Sequence, residues 1–311
     1  MNKQVDLIFL TVVFEDSKLT KRQRELYEII ELNLTVRGSV HFESFQDSRR
    51  YVAPHWHDAI EIISVTHGNL TVNIEQKEFH LKGGDCIILP PYSIHSTLST
   101  SGNSALLLQI PVDAFSECLE SEEMRTVICD PFSSDAARQK SLKQIRDFLG
   151  RFSELQKSRI SGSGLVCAGL LMEIMYELYT GQSRPGEPFP ENAGSLKNRD
   201  RLSAVMTYTE AHYHENIRLE DAAREVHLQV NYFCRIFKEN TGMTYLQYLN
   251  EYRLGRIYQD LMETDIPLKF LLEKHGFTNY KLFRRMFFDR FGATPGELRK
   301  NAGNAAAAQK V

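Results

Sequence analysis

The sequence has no C-x-x-C pair, and its five cysteines (Cys86, Cys118, Cys129, Cys167 and Cys234) are odd in number and widely spaced. That excludes a disulfide framework and a zinc-ribbon pattern, and it points to a reducing cytoplasm with mostly buried, inert thiols. Long hydrophobic runs are also missing. The apolar stretch from Val5 to Phe14 is interrupted by Asp6 and lacks a small-residue cleavage pattern, so no signal peptide is expected. No stretch approaches the roughly 20 apolar residues of a membrane span, so no membrane association is expected. Positive charge is not in surplus either: 37 Lys plus Arg face 40 Asp plus Glu, a net charge of -3. The broad basic field that would by itself suggest nucleic-acid binding is therefore absent. What remains is ordinary globular composition, 42% hydrophobic over 311 residues, enough for about two domains of roughly 150 residues each.

The texture changes along the chain. Residues 36–112 carry short apolar or alternating runs broken by glycine and proline: VHFESF, AIEIISV, LTVNI, CIILPP and ALLLQI. In Leu70 to Glu75, apolar and polar residues alternate as in a half-buried strand, and His67-Gly68-Asn69 and Lys82-Gly83-Gly84-Asp85 supply turns. Many short strands at close spacing predict a small barrel or sandwich. Residues 135–180 switch to helical periods, with Leu142, Ile145, Phe148, Leu149 and Phe152 on one face, then a helix that is apolar nearly all round and stops at Gly181. Such a helix is buried on several sides, in its own domain or against a partner subunit. Three prolines and several glycines mark residues 181–197 as a linker.

The last third repeats itself. Phe233, Arg235, Phe237, Gly242 and Thr244 return as Phe283, Arg285, Phe287, Gly292 and Thr294, an offset of 50. Each copy is preceded by an amphipathic helix and a short turn, at His227-Leu228 and at His275-Gly276-Phe277, which is helix-turn-helix architecture. A long helix from Tyr245 to Glu263 separates the copies. In each second helix the Phe and Ile or Met positions (Phe233, Ile236, Phe237; Phe283, Met286, Phe287) take the buried spacing. The opposite face offers donors for bases and phosphates: Gln229, Asn231, Arg235 and Lys238, then Asn279, Tyr280, Lys281, Arg284 and Arg285, with Arg290 beyond.

These residues resemble the DNA-binding domain of the AraC/XylS family of bacterial transcription regulators. The resemblance covers residues 198–300 and is carried by Gly276-Phe277, Phe283-Arg284-Arg285-Met286-Phe287 and Phe291-Gly292-Ala293-Thr294-Pro295. It implies two units docking in adjacent major-groove segments, with Arg235 and Arg285 at the recognition-helix arginine position. Glu251, Tyr252, Arg253, Leu254 and Arg256 stand where the family's linker helix carries its N-x-x-R-L-x-R-A run. The sequence departs from the family at Gln229, where a Ser N-cap is usual, at His227, where glycine is usual, at Leu272, usually a small residue, and at Phe288 and Asp289.

Upstream, His55-Trp56-His57 with Glu61 and Gly68, followed by Gly84, Pro90 and His95, resembles the two cupin motifs, with Tyr92 in a glycine position. His55, His57 and Glu61 share odd parity, so one extended strand would put them on one face. Three imidazoles and a carboxylate suit iron, manganese, nickel or zinc, which leaves a metal-dependent cupin dioxygenase or isomerase as the alternative. The resemblance to sensory cupins implies instead a metal-free and cofactor-free pocket in which His55, His57, Glu61 and His95, with His41 and Phe45 added by strand parity alone, line or rim a site for a sugar or similar hydroxylated metabolite; purely structural histidines are the third reading. His212, His214 and His275 read as structural, and Trp56 as packing.

The expectation is therefore an α+β multidomain chain that is not an enzyme. A cupin-like ligand-sensing and dimerisation domain spans 1–180, with its barrel at about 36–112 and helices at about 135–180. A linker at 181–197, an all-α domain of two helix-turn-helix units joined by a linker helix at 198–300, and a tail at 301–311 complete it. The expected partners are promoter DNA, a small-molecule effector, a second copy in a homodimer and, for an activator, RNA polymerase; carbohydrate or small-metabolite genes are the targets the family implies. A protein-interaction module with degenerate helix-turn-helix units is a further reading. The charge divides accordingly: -6 over residues 1–180, +1 over 200–300 and +4 over 270–300.

Overall fold

The computed structural model describes residues 11–13, 27–35, 38–47, 50–74, 77–99, 102–112, 114, 125–158, 161–185 and 194–300. The tail at 301–311 and Cys118 lie outside them.

The N-terminal half is organised by one long strand. β5 (Ala59–Ile74) runs through an antiparallel sheet with β1 (Thr11–Val13), β2 (Tyr27–Thr35), β3 (Gly38–Asp47), β4 (Tyr51–His55), β8 (His95–Leu98) and β9 (Asn103–Pro111), in the order β1-β2-β3-β9-β5-β8-β4. β6 (Lys77–Lys82) and β7 (Cys86–Leu89) also pair with β5. The first half of β5 pairs with β9 (Glu61 opposite Gln109, Ile63 opposite Leu107) and the second half with β8 (Val72 opposite Thr97). The register with β9 slips between Val65 and His67, shortly before β5 leaves β9 after Gly68 and takes up β8 from Thr71. β1 and β2 extend the sheet ahead of residue 36.

Alternation decides what each strand faces. Val40 and Phe42 on β3, Ile60 and Ile62 on β5, and Leu106, Leu108 and Ile110 on β9 turn outward and bury against two helices. Those are α1 (Ala136–Ser158) and α2 (Ser163–Gly181), which supply Leu142, Ile145, Leu149, Phe152, Leu170, Leu171, Ile174 and Leu178. The intervening residues, His41, Glu43, Glu61, Ile63, Leu107 and Gln109, turn inward onto a cavity. Both faces are covered, and the first half of β5 and β9 read as nearly continuous apolar runs, whereas β3 alternates apolar residues toward the helices with polar ones toward the cavity. α2 keeps a bare outer face, with Leu165 78% and Tyr176 64% exposed. Inside the stretch expected to be linker, β11 (Ser183–Pro185) follows α2 and pairs antiparallel with β10 (Arg125–Val127), which precedes α1.

The C-terminal half is helical: α3 (Gly194–His212), α4 (Leu219–Glu225), α5 (Val230–Thr241), α6 (Tyr245–Glu263), α7 (Leu268–Lys274) and α8 (Tyr280–Phe291). The repeat is exact in length, seven residues in α4 and α7 and twelve in α5 and α8. Gly242 and Gly292 close α5 and α8 in the left-handed conformation, each donating to the carbonyl four residues back. Among the described residues no helix is long and apolar enough to cross a membrane.

The helical hairpin is bonded to the sheet mainly by burial, and Phe152 is its centre: fully buried, with its ring 4.6 Å from that of Phe42. Phe152→Ala is expected to destabilise the N-terminal domain by about 3–5 kcal/mol, measured as an earlier midpoint in urea unfolding.

Candidate ligand pocket and nucleic-acid interface

The cavity lies between the two sets of strands, with a volume of about 180 Å³. That is below the roughly 300–1,000 Å³ of drug-sized sites, so it fits a small metabolite. Of the residues expected there, His41, His55 and Glu61 line it, while His57 and His95 stand behind Glu61. Phe45 lies on β3 opposite Ala105, and its side chain is outside the described residues. Glu43, Arg50, Thr97, Ser99, Asn103 and Gln109 also line the cavity and were not foreseen. Carrying strand parity onto ALLLQI would have found Gln109, two residues from Leu107 on the same face. Ser99 Oγ and both polar atoms of the Asn103 side chain are buried and have no hydrogen-bond partner among the described residues.

The stretch from His55 to Glu61 is not one strand, as its odd parity suggested. His55 ends β4, His57 sits in the connection, and Glu61 lies on β5. A bulge between Val52 and His55 returns the His55 ring to the cavity side, and the connection is held by the Tyr92 amide donating to the His57 carbonyl. Tyr92, in the glycine position of the cupin motif, takes φ of 62°.

The four groups nevertheless converge. His57 Nε2 is 2.8 Å from Glu61 Oε2, which also accepts from Gln109 Nε2 at 2.6 Å, and His95 Nε2 is 3.7 Å from Glu61 Oε1. Burial pushes the Glu61 carboxyl up, but the facing His57 and His95 outweigh it and hold the group well below the carboxylate range. Burial and the neighbouring His95 lower His55 to about 3. For His95, burial is outweighed by the Glu61 carboxylate, so its pKa is raised.

In the helical half, all nine side chains expected on the groove face are exposed: Gln229, Asn231, Arg235 and Lys238 around α5, and Asn279, Tyr280, Lys281, Arg284 and Arg285 around α8. Phe233, Ile236, Phe237, Phe283 and Phe287 are buried beneath them, while Met286 is only half-buried. Arg290 does not join that face. It turns back to Glu251 on α6 (3.1 Å) and lies over the Tyr51 ring. Arg253 is buried and donates to the Tyr213 and Glu215 carbonyls at 2.7 and 2.6 Å, tying α6 to the loop after α3. His275 bridges Asp260 (2.8 Å) and the Tyr213 hydroxyl (3.2 Å), the structural role expected of it.

The two units differ at their turns. Asn279 caps α8 by accepting from the Leu282 amide at 2.9 Å, whereas the Gln229 side chain caps nothing. Gly276 has φ of 66° and sits so near the His214 carbonyl oxygen that a Cβ would overlap it. His227 holds φ of 54° with a full side chain.

The halves meet along β4. Tyr51 Oη donates to Glu251 Oε2 at 2.8 Å, and its ring packs edge-on against Phe291 and Tyr258. Gly255 on α6 lets Ala53 approach so closely that an added Cβ would stand 2.8 Å from the Ala53 Cβ. Trp56 stacks obliquely near Tyr92 and joins the core of the first helix-turn-helix unit together with Ile94, so its packing is between domains.

His227→Gly is expected to stabilise the C-terminal domain by about 0.5–1 kcal/mol, the left-handed strain relieved less the backbone entropy of glycine. A higher thermal midpoint for that domain checks it.

Comparison with known proteins agrees with this division. The AraC-like ligand binding domain family matches residues 35–179 and the helix-turn-helix domain family residues 222–301. The chain is 21% identical over 263 residues to HTH-type transcriptional regulator YdeC of Bacillus subtilis, covering 82% of this chain and 88% of that one. It is 25% identical over 171 residues to HTH-type transcriptional regulator SAS0078 of Staphylococcus aureus, covering 53% of this chain and 22% of that much longer one. Among solved structures, ToxT of Vibrio cholerae aligns at 12% identity over 84% of this chain and 98% of that one, with a TM-score of 0.47. The chain belongs to the AraC/XylS family of transcription regulators, with an AraC-like ligand-binding domain followed by a DNA-binding helix-turn-helix domain.

Proposed function

We propose that the chain is an effector-responsive regulator of carbohydrate or small-metabolite genes, in which α5 and α8 dock in successive major-groove segments and β4 carries the effector signal to them. The two faces of β4 support this reading most directly. Arg50, Val52 and, past the bulge, His55 face the cavity, while Tyr51 and Ala53 face α6, which joins the two helix-turn-helix units. A ligand that shifts β4 on one side must shift its contacts with Glu251 and Gly255 on the other. The equilibrium between DNA-binding arrangements then moves by the ligand's differential affinity for them. The Ser99 and Asn103 groups, which have no partner among the described residues, favour a ligand with hydroxyl or carbonyl oxygens. The bare outer face of α2, with Leu165, Val166 and Tyr176, would pair two copies. In this reading the chain works in the cytoplasm without catalysis, contacting RNA polymerase if it activates.

With a net charge of only +1 over residues 200–300, placed side chains rather than a broad field would carry DNA binding. Arg235→Ala and Arg285→Ala should each weaken binding to a genomically selected operator by about 1–3 kcal/mol, read by fluorescence anisotropy. Undiminished binding by the double variant would refute groove docking.

The coupling is tested by a thermal-shift screen of sugars and small hydroxylated metabolites, in which a ligand at 100 times its Kd adds about 2.7 kcal/mol. Gly255→Leu should keep that ligand's stabilising effect but abolish its influence on operator affinity. A variant that still responds in DNA binding like the parent would overturn the route through β4.

A further inference from the structure

Several polar side chains that line the cavity spend their hydrogen bonds within the protein. His41 faces Glu43 at 3.6 Å, Gln109 donates to Glu61 at 2.6 Å, and the His55 ring rests against the Ala53 carbonyl. Ser99 and Asn103 differ. Both line the cavity with only 2% and 4% of their surface exposed. Neither the Ser99 hydroxyl nor either polar atom of the Asn103 carboxamide has a partner among the described residues. The backbone holds both in place. Ser99, just past β8, is tied to β4 by its amide, which donates to the Arg50 carbonyl at 2.8 Å. Asn103 opens β9 between Asp47 of β3 and Gly68 of β5, and a Cβ added to Gly68 would stand 3.0 Å from the Asn103 Cα. A buried carboxamide without partners costs the desolvation of a donor and an acceptor together. Leucine would fill the same position without that cost, so the carboxamide reads as a group kept for something that enters the cavity.

We infer that the cavity takes a neutral, one-ring cyclic amide or ureide, pyrimidine bases included, whose N–H and adjacent C=O pair with the Asn103 carboxamide while a further polar group meets the Ser99 hydroxyl. This rests on the cavity being the effector site of the proposed regulator. A carboxamide presents N–H and C=O side by side, and its complement is an edge carrying the same two functions in reverse, as when Asn reads a base. The faces of such a ring are apolar, and Val52, Ile63, Leu70 and Leu107 offer them aliphatic wall. A sugar would turn hydroxyls toward those walls as well, and each one buried there would lose its hydrogen bond to water. Charge narrows the class further. Glu43 and Glu61 bring two acidic side chains to the lining against the single guanidinium of Arg50, and Glu61 stays ionised against burial through His57 and His95. Carboxylate and phosphate ligands are thereby disfavoured. Size sets the limit: about 180 Å³ is the volume of about six liquid waters, enough for one ring with its substituents and too little for a nucleoside.

The test titrates the full chain with uracil, hydantoin and 2-pyrrolidone, each beside its fully N-methylated derivative, and with D-ribose and D-glucose, read by thermal shift and isothermal calorimetry. At least one N–H compound is expected to bind, with affinity lowered about tenfold or more by N-methylation and by Asn103→Leu, and lowered also by Ser99→Ala. Without ligand, Asn103→Leu is expected to melt no earlier than the parent, since it removes no hydrogen bond. Should circular dichroism show that this variant has lost its fold, Ser99→Ala, which deletes one oxygen, carries the comparison. Preference for the sugars, no binding by any N–H compound, or undiminished affinity in the folded variants overturns the ligand class. Operator affinity is measured alongside. A cyclic amide that binds through Asn103 and leaves operator affinity unchanged supports the class and refutes the regulatory reading beneath it, whereas a sugar that binds and shifts operator affinity does the reverse.

Discussion

A β-strand has two faces, and the sensor half depends on using both at every strand around the cavity. β3, β5 and β9 send alternate residues outward to the α1–α2 hairpin and inward to the cavity. β4 applies the same alternation to a different pair of surroundings: the cavity, and the helix that joins the two DNA-binding units. Since a one-residue slip would exchange the faces, register is under strong constraint throughout. The bulge before His55 resets the parity of β4 and brings that ring to the cavity side, where His57 arrives from the connection and Glu61 from the next strand.

The reader half was legible because its pattern is local and occurs twice. Phe233 and Phe283, Gly242 and Gly292, and Thr244 and Thr294 predict two matching units, and the helices come out with identical lengths. Apolar alternation likewise identified the strands that face the cavity. What escaped the sequence are relations between distant segments. Nothing local to Arg290 distinguishes it from Arg284 and Arg285; its partners, Glu251 and Tyr51, are about 40 and 240 residues away. Gly255 reads as an ordinary helix glycine until Ala53 is placed against it. His55, His57, Glu61 and His95 were found as a set, but the odd-parity argument that grouped the first three presupposed a single strand that does not exist.

The two helix-turn-helix units share a framework but not the same local support. The second has a capped recognition helix and a glycine turn pressed against a carbonyl; the first has an uncapped start and a histidine held in the left-handed region. Trp56 and Ile94 of the sensor pack into the core of the first unit, while Tyr51, Ala53 and Leu98 pack into that of the second. Each unit is thus completed partly by residues of the sensor, and the less well capped unit takes up the only tryptophan.

The pairing of β3 with β9 sets His41 opposite Gln109, so the sheet cannot close until a segment nearly seventy residues downstream is available. Contacts in the helical half are by comparison short-range in sequence. Such a difference in contact order makes the sensor the slower half to fold. During synthesis the sensor emerges first and the rapidly folding reader last. The α6 surface that docks on β4 is therefore made only after the strand it needs has had time to find its place.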